Sequence, residues 1–140
     1  MFTAVISANS SEDAAEPQES LAPPVLQNVG TAIVYNIEND RYIYELGADK
    51  IIPPASTVKL MTAIVAVEAL GGDLDREVTV KAEAIVGVTG SNIALKRGEV
   101  LTVEQLLYAL ICGGANDAAN VLAVEVAGSV EAFVALMNAS

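Results

Sequence analysis

The 140-residue sequence predicts an α/β (α+β) fold in which the N-terminal hairpin of an antiparallel sheet precedes a helical cluster. Three observations carry that prediction. β-Branched and aromatic residues concentrate between positions 31 and 46, whereas from Ser56 onward apolar runs are punctuated by helix-starting and helix-ending residues. The composition, 53% hydrophobic with only 4% aromatic and rich in Ala, Val, Ile and Leu, suits helices packed on a sheet more than a β-sandwich.

Element by element, residues 9–28 read as a linker, with Pro17, Pro23 and Pro24 among acidic and small residues, and ordered structure is expected from about Val29. Residues 31–37 and 41–46 form two strand-like runs around Glu38-Asn39-Asp40, a hairpin signal. In the second run Tyr42, Tyr44 and Leu46 share one face, which makes the tyrosines packing residues rather than catalytic ones. A helix is expected from Ser56 to about Leu70, ended by Gly71-Gly72, and its run from Leu60 to Val67 is apolar on nearly every side, the pattern of a buried helix. Residues 77–80 form a short strand candidate, and Gly87 to Gly98 read as loops. Thr102 with Gln105 is a capping box that opens a helix over 103–112. Gly113-Gly114 breaks it, Asn116 or Asp117 opens the next helix through Val126, and Gly128-Ser129 separates a last helix over 130–138. A lone two-stranded hairpin is marginal, so further strands are expected to join it.

Charge and composition narrow the function classes. Seven basic against 18 acidic residues give a net charge of −11, which argues against nucleic acid, whose phosphates call for a basic face. The absence of histidine excludes a Ser-His-Asp triad within these residues and leaves acid-base chemistry to lysine, carboxylate, tyrosine or cysteine. The single Cys112 cannot form an internal disulfide and is expected to be a small buried apolar side chain. No metal, nucleotide or other cofactor motif is present. Met1 to Ala8 is apolar and ends in small residues, like the tail of a secretory signal peptide without its positive n-region. The expected organisation is a partial signal peptide and disordered leader over 1–28, then a domain over 29–140, with an exported, extracytoplasmic location. No run is a clear membrane-spanning helix.

Ser56 and Lys59 lie three residues apart where the first apolar helix begins. Residues at that spacing share a helix face, so the lysine amine comes within reach of the serine hydroxyl. A serine is a weak nucleophile until a base takes its proton, and a lysine serves as that base only where burial or nearby positive charge favours the neutral amine. The competing reading is an ordinary N-cap serine.

A second segment, Gly113-Gly114-Ala115-Asn116-Asp117-Ala118-Ala119-Asn120, places an asparagine at a glycine-broken turn before a helix. Asn116 either aims its amide into a cleft or caps the helix that follows.

Together, Ser56-Thr57-Val58-Lys59 within PPASTVKLMTA and the run GSNIALKRGEVLTVEQLLYALICGGANDAANVLA resemble the N-terminal half of the D-alanyl-D-alanine carboxypeptidases, low-molecular-weight penicillin-binding proteins of the serine β-lactamase-like superfamily. The resemblance covers about residues 24–138 and includes Gly90-Ser91, Gly98-Glu99 and Leu106-Leu107-Tyr108 in the family's order. It implies a β-lactamase/transpeptidase-like fold, incomplete here. It implies that Ser56 attacks the carbonyl between two D-alanines of a peptidoglycan stem peptide, with Lys59 as base, and that Asn116, at the third position of the family's S-x-N motif, hydrogen-bonds the substrate backbone. β-Lactams would be covalent inhibitors, and the protein would associate with the membrane only peripherally, if at all.

Two departures qualify the resemblance. Gly114 stands where the S-x-N motif has serine, and no K-T-G occurs, so the sequence is expected to be a fragment that is inactive alone. The alternative is a peptidoglycan- or penicillin-binding pseudoenzyme. A β-lactamase reading requires a deacylating base, but no E-x-x-L-N motif is present, and Glu68 and Glu125 are expected to be helix-surface carboxylates.

Overall fold

The computed structural model describes residues 25–140. Of the signal peptide and leader expected over 1–28, residues 1–24 lie outside the described residues. The described chain divides into two compact units that meet between Ile51 and Ile52.

The first unit is an antiparallel hairpin of β1 (Ala32–Asn36) and β2 (Arg41–Leu46). Ala32 pairs with Leu46 and Val34 with Tyr44, and a register shift between Val34 and Tyr35 sets Tyr35 opposite Tyr42. Their rings meet edge-to-face with centroids 5.0 Å apart. At the turn Asn36 Oδ1 accepts the Asn39 N–H at 2.8 Å, and Asp40 adopts φ +48°.

The second unit begins with a one-turn 3-10 helix, Ala55–Thr57, that leads directly into α1 (Val58–Ala69). There follow β3 (Glu77–Thr79), α2 (Ala82–Ile85), β4 (Val100–Thr102), α3 (Val103–Ile111), α4 (Asn116–Ala127) and α5 (Val130–Met137). Strands β3 and β4 pair antiparallel, Glu77 with Thr102 and Thr79 with Val100, so they form a second two-stranded sheet instead of adding to the hairpin. Neither β4 nor α2 is legible in the sequence: each is three or four residues long, and β4 exists because β3 supplies its partners.

Helix α4 is the centre of this unit and packs against α1, α2, α3 and α5. Ala118, Val121, Leu122, Ala123 and Val124 are buried around it, against Val65 and Ala66 of α1, Ala84 of α2, Leu106 and Leu110 of α3 and Phe133 of α5. Full burial of each large side chain contributes about 1.5–3 kcal/mol, and the alanines of α4 let neighbouring helices approach closely. The capping box forms as predicted: Thr102 Oγ1 accepts from Gln105 N at 3.2 Å while Gln105 Oε1 accepts from Thr102 N at 3.0 Å.

Two expectations need correction. Helix α1 is not enclosed: Thr62, Val65 and Ala66 are buried, but Leu60 and Ile64 are more than half exposed, because the described elements pack on one side of it only. Cys112 is exposed rather than buried, because it is the C-cap of α3 and lies beyond the Val103, Leu106 and Leu110 stripe that faces the core.

Candidate active site

The approach Ile52-Pro53-Pro54 is irregular, and the chain then turns sharply at Ala55, whose φ of +48° is left-handed. For a residue with a Cβ that conformation costs about 1–3 kcal/mol and is kept only where the surroundings dictate it. Thr57 stabilises the turn from the other side, with its N–H and its Oγ1 both donating to Pro54 O, at 3.1 and 2.5 Å. Ser56 is thereby held, exposed, on a 3-10 turn at the head of α1.

Lys59, the second residue of α1, follows Ser56 by three residues across the junction of the 3-10 turn and the α-helix. Lys59 is half-buried. The N-cap reading of Ser56 does not hold, because Thr57 is the N-cap of α1 and no side chain caps that helix. Among the described residues the Ser56 hydroxyl is bonded neither to the backbone nor to Lys59, and it is therefore not committed to a structural role.

Asn116 is likewise not an N-cap. Ala115 occupies that position and Asn116 is the first helical residue of α4. Its N–H donates to Ser91 O at 2.8 Å and its Nδ2 to Thr89 O at 2.8 Å, which ties the 89–91 loop across the start of the helix. Since Thr89 presents a carbonyl oxygen, the amide must turn its NH₂ group towards it, leaving Oδ1 and the second amide hydrogen for a ligand. Gly90, with φ +79°, makes this approach possible: a Cβ there would lie 2.9 Å from Asn116 Nδ2.

The packing of α1 on α4 relates the two segments. A cleft of about 230 Å³ lies between α1, α4 and α5, with Val58 and Thr62, Asn120 and Ala123, and Phe133 and Met137 among its walls; Ser56, Lys59 and Asn116 do not line it. Asn120 lies one turn beyond Asn116 on the same face, and Thr62 lies three residues beyond Lys59. Among the described residues no hydrogen bond joins Ser56, Lys59 and Asn116 to one another.

Sequence reasoning missed one residue here. Asp117 is buried, and its carboxylate accepts the N–H groups of Ile93, Leu95 and Ala118. An acidic residue in a first helical turn is a visible signal, but its partners 22 and 24 residues earlier are not. Of the two carboxylates weighed as deacylating bases, Glu68 is exposed on α1 and Glu125 pairs with Arg76 at 2.6 Å. No group of three metal-ligating side chains gathers among the described residues.

Comparison with known proteins places the chain in one family. The model of the D-alanyl-D-alanine carboxypeptidases matches residues 18–140. The chain belongs to the D-alanyl-D-alanine carboxypeptidase family. It is 31% identical over 110 residues to D-alanyl-D-alanine carboxypeptidase DacF of Bacillus subtilis, covering 77% of this chain and 28% of that protein. Among solved structures, the D-alanyl-D-alanine carboxypeptidase of Mycobacterium tuberculosis superposes with a TM-score of 0.76 at 30% identity, over 86% of this chain and 44% of that one. Penicillin-binding protein D2 of Listeria monocytogenes, in its ampicillin-bound form, gives 0.67 at 31% identity, over 84% of this chain and 47% of that one. The mixed α/β fold expected from the sequence is therefore that of the family's solved members. The chain spans between 28% and 47% of the length of these relatives.

Proposed function

We propose that this chain carries the nucleophile half of an exported serine-type D-Ala-D-Ala carboxypeptidase acting in peptidoglycan metabolism, with Ser56, Lys59 and Asn116 as its catalytic residues. The observation that supports this most strongly is the uncommitted Ser56 hydroxyl on a strained turn three residues before Lys59, in a chain of this family.

In this reading the Ser56 Oγ attacks the carbonyl carbon between the two terminal D-alanines while its proton passes to the Lys59 amine, acting as base. The C–N bond breaks, the proton goes to the departing D-alanine amine, and an acyl-serine ester remains. Water gives a proton to Lys59 as it attacks the ester carbonyl; the C–O bond to Ser56 breaks, Ser56 Oγ takes that proton back, and the shortened peptide leaves as its carboxylic acid, which ionises in water. Dividing one difficult step into two easier ones is the gain of covalent catalysis. The Ser56 N–H lies in the first turn of a helix and takes no backbone acceptor among the described residues, so it is available to the developing oxyanion, where each such donor contributes about 3 kcal/mol. Asn116 hydrogen-bonds the peptide backbone of the substrate. No cofactor enters these steps. β-Lactams acylate the same serine, and the protein works outside the cytoplasm at the cell envelope.

The test is labelling with a fluorescent penicillin followed by mass mapping, on the protein expressed from its whole gene. Adduct on Ser56, lost in Ser56→Ala, is the expected result; a folded protein that takes no label would overturn the nucleophile assignment. Gly114 favours a second reading, a peptidoglycan-binding pseudoenzyme, because it removes the S-x-N hydroxyl from any proton relay. Gly114→Ser raises turnover if that hydroxyl is the defect and leaves it unchanged in a protein whose role is binding.

A further inference from the structure

We infer that Asp117 is a positioning residue, whose buried carboxylate clamps the 89–95 loop onto the head of α4 and so fixes the Asn116 amide; this rests on the reading of Asn116 as a substrate-binding group. The carboxylate is 3% exposed. Its two oxygens each accept the Ile93 N–H at 3.2 Å, Oδ2 accepts the Leu95 N–H at 3.0 Å, and Oδ1 accepts the Ala118 N–H at 3.0 Å. Bonds from backbone N–H groups to an ionised carboxylate are about twice as strong as neutral ones. They hold one end of a loop whose other end supplies, among the described residues, the carbonyls that Asn116 donates to, Ser91 O to its N–H and Thr89 O to its Nδ2. Between them Asn92 closes a local turn, its Nδ2 on Gly90 O and its Oδ1 on the Ala94 N–H, so displacement at Ile93 is transmitted to Gly90 and Thr89.

The chemistry of the clamp requires an acceptor on both oxygens. Asp117→Asn keeps the volume but turns one oxygen into an NH₂ that faces N–H donors. The loop is then released, Thr89 O leaves the amide, and Asn116 loses its orientation. A displacement of about 1 Å in such a group costs up to about a hundredfold in rate. Gly90→Ala provides an independent perturbation, because its Cβ would lie 2.9 Å from Asn116 Nδ2 while Asp117 stays intact.

The experiment uses the whole gene product and measures Ser56 acylation by benzylpenicillin, which carries an acylamido group for Asn116 to bind, and by 6-aminopenicillanic acid, which lacks it. Amide exchange at Ile93 and Leu95 is measured in parallel. In Asp117→Asn, exchange should quicken and benzylpenicillin acylation should fall by about ten- to a hundredfold, while acylation by 6-aminopenicillanic acid changes far less. Gly90→Ala, which disturbs Asn116 directly, should show the same selective loss; where Asp117→Asn no longer unfolds cooperatively, Asp117→Glu, which keeps two acceptor oxygens but moves them, takes its place, with the same selective loss and faster exchange expected and equal losses for both ligands overturning the inference. Equal losses for both ligands, or faster exchange with acylation unchanged, would overturn the inference while leaving the catalytic reading in place. A wild-type protein that is not acylated at Ser56 overturns both.

Discussion

A Cβ placed on Gly113 would lie 2.7 Å from the carbonyl oxygen of Ala109, one turn back in α3. That carbonyl also accepts the Ala115 N–H at 3.0 Å, and the Gly113 N–H donates to Tyr108 O, so the α3–α4 turn is wound tightly over the end of α3. Gly114, the next residue, has open space around it but a φ of +64°. The two glycines are therefore required for different reasons, one by contact and one by backbone conformation. Gly113→Ala should destabilise the protein by about 1–3 kcal/mol through overpacking. Gly114→Ser should cost about 1–2 kcal/mol through its left-handed backbone. Urea unfolding of the two variants separates the cases, since a further Gly114→Asn should recover part of the loss and Gly113→Asn none.

Ala55 offers a stability–function contrast. Relieving its φ of +48° with Ala55→Gly should stabilise the fold by about 1 kcal/mol or leave it unchanged, whereas Ala55→Val should destabilise it by more than about 2 kcal/mol. The same Ala55→Gly change loosens the turn that presents Ser56, so penicillin acylation should slow as thermal stability holds or rises. Faster acylation in that variant would refute the view that the strained turn presents the nucleophile.

The Thr102–Gln105 capping box starts α3, which contributes Leu106 and Leu110 to the core. Thr102→Ala should cost about 1 kcal/mol in equilibrium unfolding, and Thr102→Ser should restore most of it. Loss of the Thr102 side chain with no change in the unfolding midpoint would show that core packing alone fixes the start of the helix.

In the hairpin, Tyr35 donates its phenolic proton to Asp40, and this bond, with smaller contributions from desolvation and from Tyr42, raises the Tyr35 pKa above the ordinary value of about 10. The sign follows directly: the stabilisation is present in full below the unfolded value and is lost as pH rises through the folded one. Ultraviolet titration should show one tyrosine ionising later than the rest, and Asp40→Asn should shift that step down. A Tyr35 step that does not move on substitution would exclude the Asp40 contact as its cause.

The hairpin, the capping box and the glycine-marked ends of α1, α3 and α4 were legible because each is written within a few neighbouring residues. Alternating β-branched side chains around Glu38-Asn39-Asp40 specify a turn locally, and Thr102 reaches Gln105 without help from the rest of the chain. Ser56 and Lys59 were legible as a pair for the same reason, since a three-residue spacing at a helix start is a local pattern. Local pattern misjudged burial, however. It made α1 a buried helix and Cys112 a buried side chain, whereas exposure is set by which elements pack on each face.

By itself, then, the sequence determined the elements with local signatures and the residue types available for chemistry: no histidine, a serine and a lysine at helical spacing, an asparagine after paired glycines. Only the tertiary structure decided that neither Ser56 nor Asn116 is spent as a cap, that β4 pairs with β3, and that Asp117 holds a loop 22 to 24 residues away beside Asn116. The physical reason is the range of the interactions. Capping and periodicity act over three or four residues, whereas a buried carboxylate must be satisfied by whichever backbone donors the folded core brings to it.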